Sequence, residues 1–460
     1  MAEGSDQHYD ILIVGAGIFG SSTAYHLSVS NTTKQKIVVI DSGPIPPAAA
    51  ASTDINKILR ADYTNELYMR LALEAIEQWR NWEFLEPCYH GSGRVTLNPK
   101  GDDFLERTRK NFKAVLGKDP TEDLSLRKLI GSQEEDRILG ASAGREEKWR
   151  RMFTGTNLEG FDSAYWNPIG GWCDADLATA AMMQEAQKNG VSYIPAAVDK
   201  LLLGQDSIRG VKTKDGQEHT ANKILLATGA WTSSLMSPIE DTLGMASGDR
   251  FERQATAAGV CVLHYRLDSS EMQELSDMPV FIYGMEGEVL PPPGRNRLLK
   301  YTNANSFSNH FPTPLGHVIS APPARDQHIV PERLRKETMD IIGNRAMPRY
   351  SAGKEPDYWR LCWDAVTPTQ DHLISRHPDS RLRNLYFAIG GSFHSYKFLP
   401  NIGGYVTKVL NGESNGSEKD KAWMWKTGSD GKIGRGAHEK VVPRRELKDL
   451  EEEDTARARL

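Results

Sequence analysis

Cysteine is scarce: Cys88, Cys173, Cys261 and Cys362 are the only four in a chain of 460 residues. They form no CxxC pair and no CxxC…HxxxH pattern, so no metal site is expected. So few thiols in so long a chain argue against a disulfide-built secreted scaffold and for a reducing intracellular compartment. Excess positive charge is also missing. Lys and Arg total 56 against 61 Asp and Glu, a formal net charge of −5, which gives no footprint for nucleic acid or an anionic membrane. No apolar run reaches the roughly 18 residues needed to span a bilayer. The start of the chain is polar and acidic, unlike a signal peptide. A soluble monomer is expected, and internal repeats are absent. At this length one core does not usually serve, which predicts two or more domains.

What is present begins with YDILIVGAGIFGSSTAYHLSVS. The apolar run Ile11 to Val14 reads as a buried parallel strand. Gly15, Gly17 and Gly20 follow in GxGxxG spacing around Ile18, then a helical pattern runs through Ala24 and Leu27. A second strand, KIVVID, ends in Asp41. Gly15 permits a tight turn, Gly17 lets the backbone approach a pyrophosphate, and Gly20 lets the helix pack closely on the strand. The helix N-terminus offers its free N–H groups to the diphosphate, and Asp41 accepts from a ribose hydroxyl. This unit binds a dinucleotide but does not separate NAD from FAD. GVSYIPAAVDKLLL, containing Val198, reads as strand, turn, strand; the next segment is a hairpin with an Asp-Gly turn. The apolar strand Ile224–Ala227 then runs into TGAW at Gly229, a second signature of many FAD oxidoreductases. FAD is the expected cofactor.

Three further stretches stand out: STDINKILRADY from Ser52, WRLCWDAVTPTQDHLI from Trp359, and GGSFHSYKFLPNIGGYV from Gly390. With GAGIFG they resemble the flavin-dependent amine oxidases that include sarcosine, pipecolate and saccharopine oxidases and the fungal fructosyl amino acid oxidases (amadoriases), over roughly residues 8–425. The resemblance implies an α/β fold of the glutathione reductase type, D-amino-acid oxidase-like. A Rossmann-like FAD-binding domain is discontinuous over 1–90, 170–245 and 355–425, and a second α+β substrate domain on a mixed sheet takes 91–169 and 246–354. LYMRLALEAIEQWRNW reads as an amphipathic helix with Leu67, Leu71, Ile76 and Trp79 facing the core. GESNGSEKDK, from Gly412, reads as a loop, and 426–460 as a charged, flexible tail, helical in part.

The resemblance also assigns roles. Cys362 falls where the family forms a thioether to the 8α-methyl of the flavin, with Arg360 close enough to stabilise the thiolate. Cys88, Cys173 and Cys261 remain small buried side chains. Arg60 and Lys397 match a carboxylate-binding pair, and Lys57 lies beside them to hold a second polar group or cover the flavin. Lys300 falls where a lysine, bridged by water to flavin N5, stabilises charge arising on oxygen. The next substrate contact falls near Asn303 or Ala304, neither of them the His of sarcosine oxidase or the Glu of amadoriases. His394 reads equally as a flavin-facing or a structural residue. NIGGYV would begin a helix whose N–H groups face the flavin pyrimidine.

The expected activity is an FAD-dependent oxidase. It moves hydride from the C–N bond of a secondary-amine amino acid to flavin and then electrons to O2, giving hydrogen peroxide. The alternatives are a tailoring oxidase of a fungal specialised-metabolite pathway, a flavin dehydrogenase passing electrons to a carrier, and a non-catalytic dinucleotide sensor. The ending Ala458-Arg459-Leu460 resembles a peroxisomal import address. A peroxisome, with an import receptor as partner, is therefore expected, the cytoplasm being the alternative.

Overall fold

The unbroken apolar run at Ile11–Val14 is explained by its neighbours on both edges. The strand His8–Val14 pairs in parallel with Ile37–Asp41 on one side and Glu218–Leu226 on the other, Ile13 lying between Val39 and Leu225. Both faces are covered: Ile11 and Ile13 join one buried cluster, Leu12 and Val14 another. A parallel central strand needs this apolarity on both faces. The computed structural model describes residues 8–129, 144–427 and 442–451. Its first sheet runs Val198–Leu203, Ile208–Thr213, Glu218–Leu226, His8–Val14, Ile37–Asp41, Ser192–Pro195, with Leu385–Ile389 added in parallel to Glu218–Leu226. The Asp-Gly hairpin forms as its sequence dictates, Gly216 taking φ +91° in the turn.

A second sheet is mixed. Val280–Tyr283 pairs in parallel with Arg94–Pro99, whereas Gly287–Leu290, Leu298–Asn303 and Thr256–Arg266 run antiparallel in succession. Tyr358–Val366 belongs here too, paired along Thr256–Arg266 with Cys362 opposite Val260. This corrects the boundary at 355: the strand that carries Cys362 is an element of the second sheet, and the cofactor sheet resumes at Leu373. The reason is period-2 alternation. Leu361 and Trp363 enter a core on the far face, while Cys362 and Asp364 turn to the cavity between the sheets.

The amphipathic helix spans Glu66–Asn81, is started by Asn65 accepting from Leu67 N at 2.9 Å, and buries Leu67, Leu71, Ile76 and Trp79. Each such side chain contributes about 1.5–3 kcal/mol. Two expectations about the C-terminal part change. Ser417–Trp423 is a helix, not loop, with Trp423 buried. Past 426 a helical part is present as expected, at residues 447–451, but it is docked and not a free tail: Leu447 and Leu450 pack into a core with Phe307 and Leu334. Arg445 pairs with Glu337 at 2.8 Å, and Glu446 accepts from His310 at 2.8 Å. Apolar residues spaced three apart gave this segment a face to bury. Ala458-Arg459-Leu460 lies outside the described residues. No described helix is long and apolar enough to cross a membrane.

His310 makes this docking pH-dependent. The nearby Glu252 carboxylate, 3.6 Å away, and then Glu446 outweigh burial and push the imidazole up to about 9. A raised folded-state value means the contribution is complete below about 6.5, the ordinary histidine value, and is lost as pH rises through about 9. Hydrogen exchange at Leu447 and Leu450, corrected for its intrinsic pH dependence, is expected to accelerate over that interval; pH-independent protection would contradict it.

Candidate active site

A cavity of about 630 Å³ lies between the two sheets, within the range of small-molecule sites. Its nucleotide-facing end is built by the first turn. Gly15 takes φ +103°, and a Cβ there would sit 2.4 Å from Ala227 O. A Cβ on Gly20 would lie 1.8 Å from Gly15 O, so Gly20 serves helix packing and is not part of the cavity wall. Gly17, Ile18, Val198 and Gly229 do line the cavity. Asp41 lies beside them, its oxygens accepting from Ala16 N and Ser42 N, each at 2.6 Å. A carboxylate has about four acceptor sites, so capacity remains for a ribose hydroxyl. A glycine turn without side chains, a helix N-terminus and an acid at the end of the adjacent strand fit an FAD diphosphate and ribose.

The other end holds the thiol and the cations. Cys362 is only 2% exposed, and Lys57 Nζ donates toward its Sγ at 3.8 Å. Asp54 holds Lys57 at 3.2 Å and Lys300 at 2.6 Å, and Lys300 also donates to Asn56 O at 3.0 Å. Burial alone would protonate Asp54, but Lys300, Lys57 and Arg360 outweigh it and hold the carboxyl well below its usual range. Burial likewise opposes charge on Lys57, yet Cys362 and Asp54 raise its ammonium above the ordinary value. For Lys300 burial wins over Asp54, and the ammonium is pulled down.

Arg60 and Lys397 meet around Tyr63. The Arg60 guanidinium lies 4.5 Å from the Tyr63 ring centroid and donates to Asp62 O. Lys397 donates to Tyr63 OH at 2.9 Å and to His394 O. Burial, reinforced by Arg60 and Arg94, pulls Lys397 well below its ordinary value. Behind them Asp62 pairs with Arg94 at 2.6 Å and accepts from Asn167 at 3.0 Å.

His394 lines the cavity, with both ring nitrogens engaged, Nε2 donating to Gln370 O at 2.8 Å and Nδ1 facing Tyr63 OH at 3.0 Å. The loop before it is strained: Ser392 and Phe393 take φ +45° and +56°, costing about 1 kcal/mol or more each. Asp364 holds it by accepting from Phe393 N at 2.9 Å, and burial pushes the Asp364 carboxyl up to about 6.

Two expectations are corrected, and a third narrows to one of its two residues, Ala304, which lines the cavity. Arg360 does not serve Cys362; its guanidinium is taken up by the carbonyls of Ala50, at 3.0 Å, and Thr53, so Lys57 is the cation at the sulfur. The helix Ile402–Leu410 does not line the cavity, because Gly403 N donates to Ser22 Oγ at 2.8 Å and the helix packs on Ile18–Val29. Asn303 points away, bonded to Glu337 at 3.0 Å, and Ala304 offers only a methyl group. On this hairpin the carboxylate in the wall is that of Glu288, opposite Thr302. The alternation in GEVL was the available signal, but it needed the register. Asp54, Asp62 and Tyr63 were missed although they stand inside a quoted motif.

A family model described as FAD dependent oxidoreductase matches residues 10–409. The chain belongs to this family. It is similar to L-saccharopine oxidase of Schizosaccharomyces pombe, 28% identical over 90% of this chain and 93% of that protein. It is similar also to amino acid oxidase fsqB of Aspergillus fumigatus, 24% identical over 85% and 90%. Among solved structures, a modified fructosyl peptide oxidase from Aspergillus nidulans superposes with a TM-score of 0.77 at 27% identity, covering 97% and 99%. The expected FAD dependence and the α/β fold of this family therefore stand, and the chain is an FAD-dependent oxidoreductase of this amino-acid oxidase type.

Proposed function

We propose that this enzyme oxidises the C–N bond of a secondary-amine amino acid and returns the electrons to O2 as hydrogen peroxide. The observation that carries this reading is one cavity lined by the glycine turn, a buried thiol beside a lysine, and the Arg60 and Lys397 pair. Bound FAD supplies the two-electron acceptor. Arg60 presents a planar donor set suited to a carboxylate, and Lys397 gains a counter-ion when that carboxylate arrives. Together they orient the amine and its neighbouring carbon. Lys300 keeps a fixed cation, anchored on Asp54, where charge develops on oxygen. No side chain has to remove a carbon-bound proton, because the unprotonated amine delivers hydride. Cys362, with Lys57 beside it, would hold FAD through a thioether.

The test is anaerobic mixing of holoenzyme with a panel of N-alkyl amino acids, following loss of the flavin's visible absorbance. Bleaching by at least one member, and peroxide on admitting air, is expected; no bleaching across the panel would remove the amine-oxidase reading. With a reducing substrate in hand, Arg60→Ala is expected to raise KM roughly 30-fold, about 2 kcal/mol for a charge-assisted contact, while kcat changes only a few-fold. An unchanged KM would place the carboxylate elsewhere.

A further inference from the structure

The hairpin that carries Lys300 presents a second charged side chain of opposite sign. Gly287–Leu290 and Leu298–Asn303 pair antiparallel, with Leu290 opposite Lys300 and Glu288 opposite Thr302. Residues two apart on a strand share a face, and all four line the cavity. The acids among the nearby cations are otherwise engaged: Asp54 by Lys57 and Lys300, Asp62 by Arg94 at 2.6 Å. Apart from its backbone pairing in the sheet, Glu288 has no hydrogen-bond or ion-pair partner for its carboxylate among the described residues. Its potential partners are committed elsewhere, Lys57 and Lys300 to Asp54, Lys397 to Tyr63 and His394, Arg60 to the Asp62 carbonyl. Burial raises the Glu288 carboxyl above its ordinary value although Lys300, Lys57, Arg60 and Lys397 oppose this. A carboxylate in a desolvated wall is costly until a cation or donor reaches it.

Register places Glu288 on the wall. Cys362 pairs with Val260, Val262 with Thr302, and Thr302 with Glu288. Three interstrand steps of about 4.8 Å, with a two-residue offset of about 7 Å along the strand, put the Glu288 backbone about 16 Å from that of Cys362, with the Lys300 strand between them.

We propose that Glu288 is a specificity-determining residue that takes a second, cationic amino group of the substrate, remote from the amine being oxidised. This rests on the reading of the site as an amino-acid oxidase with the carboxylate held at Arg60 and Lys397. The preferred substrate class is then an amino acid carrying a secondary amine and a separate ammonium group, rather than a simple N-methyl amino acid.

Anaerobic calorimetric titration of dithionite-reduced holoenzyme, which can bind but not oxidise them, with Nα-methyl-L-lysine and Nα-methyl-L-norleucine, which differ by the terminal ammonium, tests this. The wild type is expected to bind the lysine compound about 10-fold tighter or more, as one charge-assisted contact provides. Glu288→Gln should reduce the ratio to near one by weakening only the lysine compound, and Glu288→Asp should retain part of it. A merely structural Glu288 would weaken both ligands alike. Equal affinities in the wild type, no binding of the lysine compound, or a ratio that persists in Glu288→Gln would overturn the assignment. Selective binding without bleaching by any amino acid would spare Glu288 and remove the oxidase reading, whereas bleaching without ammonium preference would do the reverse.

Discussion

Cys362→Ala enzyme, precipitated in acid, is expected to leave its flavin in the supernatant, while the wild-type pellet stays yellow. The covalent fraction should fall from essentially all of the bound flavin to none. A thiol that joins the flavin must face it, and Cys362 is the cysteine placed to do so. Its sulfur faces the cavity from the Tyr358–Val366 strand, with Lys57 Nζ 3.8 Å away. Lys57 is itself held by Asp54 at 3.2 Å. The other three thiols do not line the cavity, and burial pushes Cys88 up to about 11, Cys261 up to about 12 and Cys173 well above its ordinary value. Lys57→Met should therefore slow flavin attachment without changing which peptide carries it. Covalent flavin retained in Cys362→Ala, or a flavin mass increment on a peptide lacking Cys362, would overturn the thioether.

Asp54→Asn is expected to cost about 3–5 kcal/mol of stability, because it removes the shared counter-ion of two buried ammonium groups. Asp54 is 3% exposed and lies 2.6 Å from Lys300. The sign of the pH dependence follows from its depressed folded-state value. Its contribution is complete above about 4, the ordinary carboxylate value, and is lost as pH falls below that. Urea unfolding of wild type and variant at neutral pH should show the full difference, shrinking toward acid. Lys300→Met in the Asp54→Asn background should recover part of the loss, since the two groups are coupled. A difference within about 1 kcal/mol, or losses that simply add, would show that Asp54 is not the keystone of this cluster.

The correct and incorrect expectations divide by range. GAGIFG, the strand ending in Asp41 and the Asp-Gly hairpin are contiguous patterns whose steric demands are met within a few residues, as at Gly15 with φ +103°. Lys300 was singled out through the family resemblance, and its neighbour Glu288 was not, because their proximity is a cross-strand register spanning the proline-rich connection. Arg360 and Cys362 are two apart on one strand face, so adjacency suggested cooperation. In the fold the guanidinium is occupied by the carbonyls of the 48–53 loop, which packing alone brings there.

By itself, the order of residues determined the dinucleotide turn, the class of fold and the set of charged side chains available for the pocket. Local dihedral preference and the two hydrophobic periodicities act within a single element, so they are written in consecutive residues. Only the tertiary structure decided which charges neutralise one another and which remain for a ligand. Asp54 came between Lys57 and Lys300, Asp62 went to Arg94, and Glu288 was left facing the cavity. Coulombic pairing and desolvation depend on distance through space, and that distance is set by how two sheets stack and not by position along the chain.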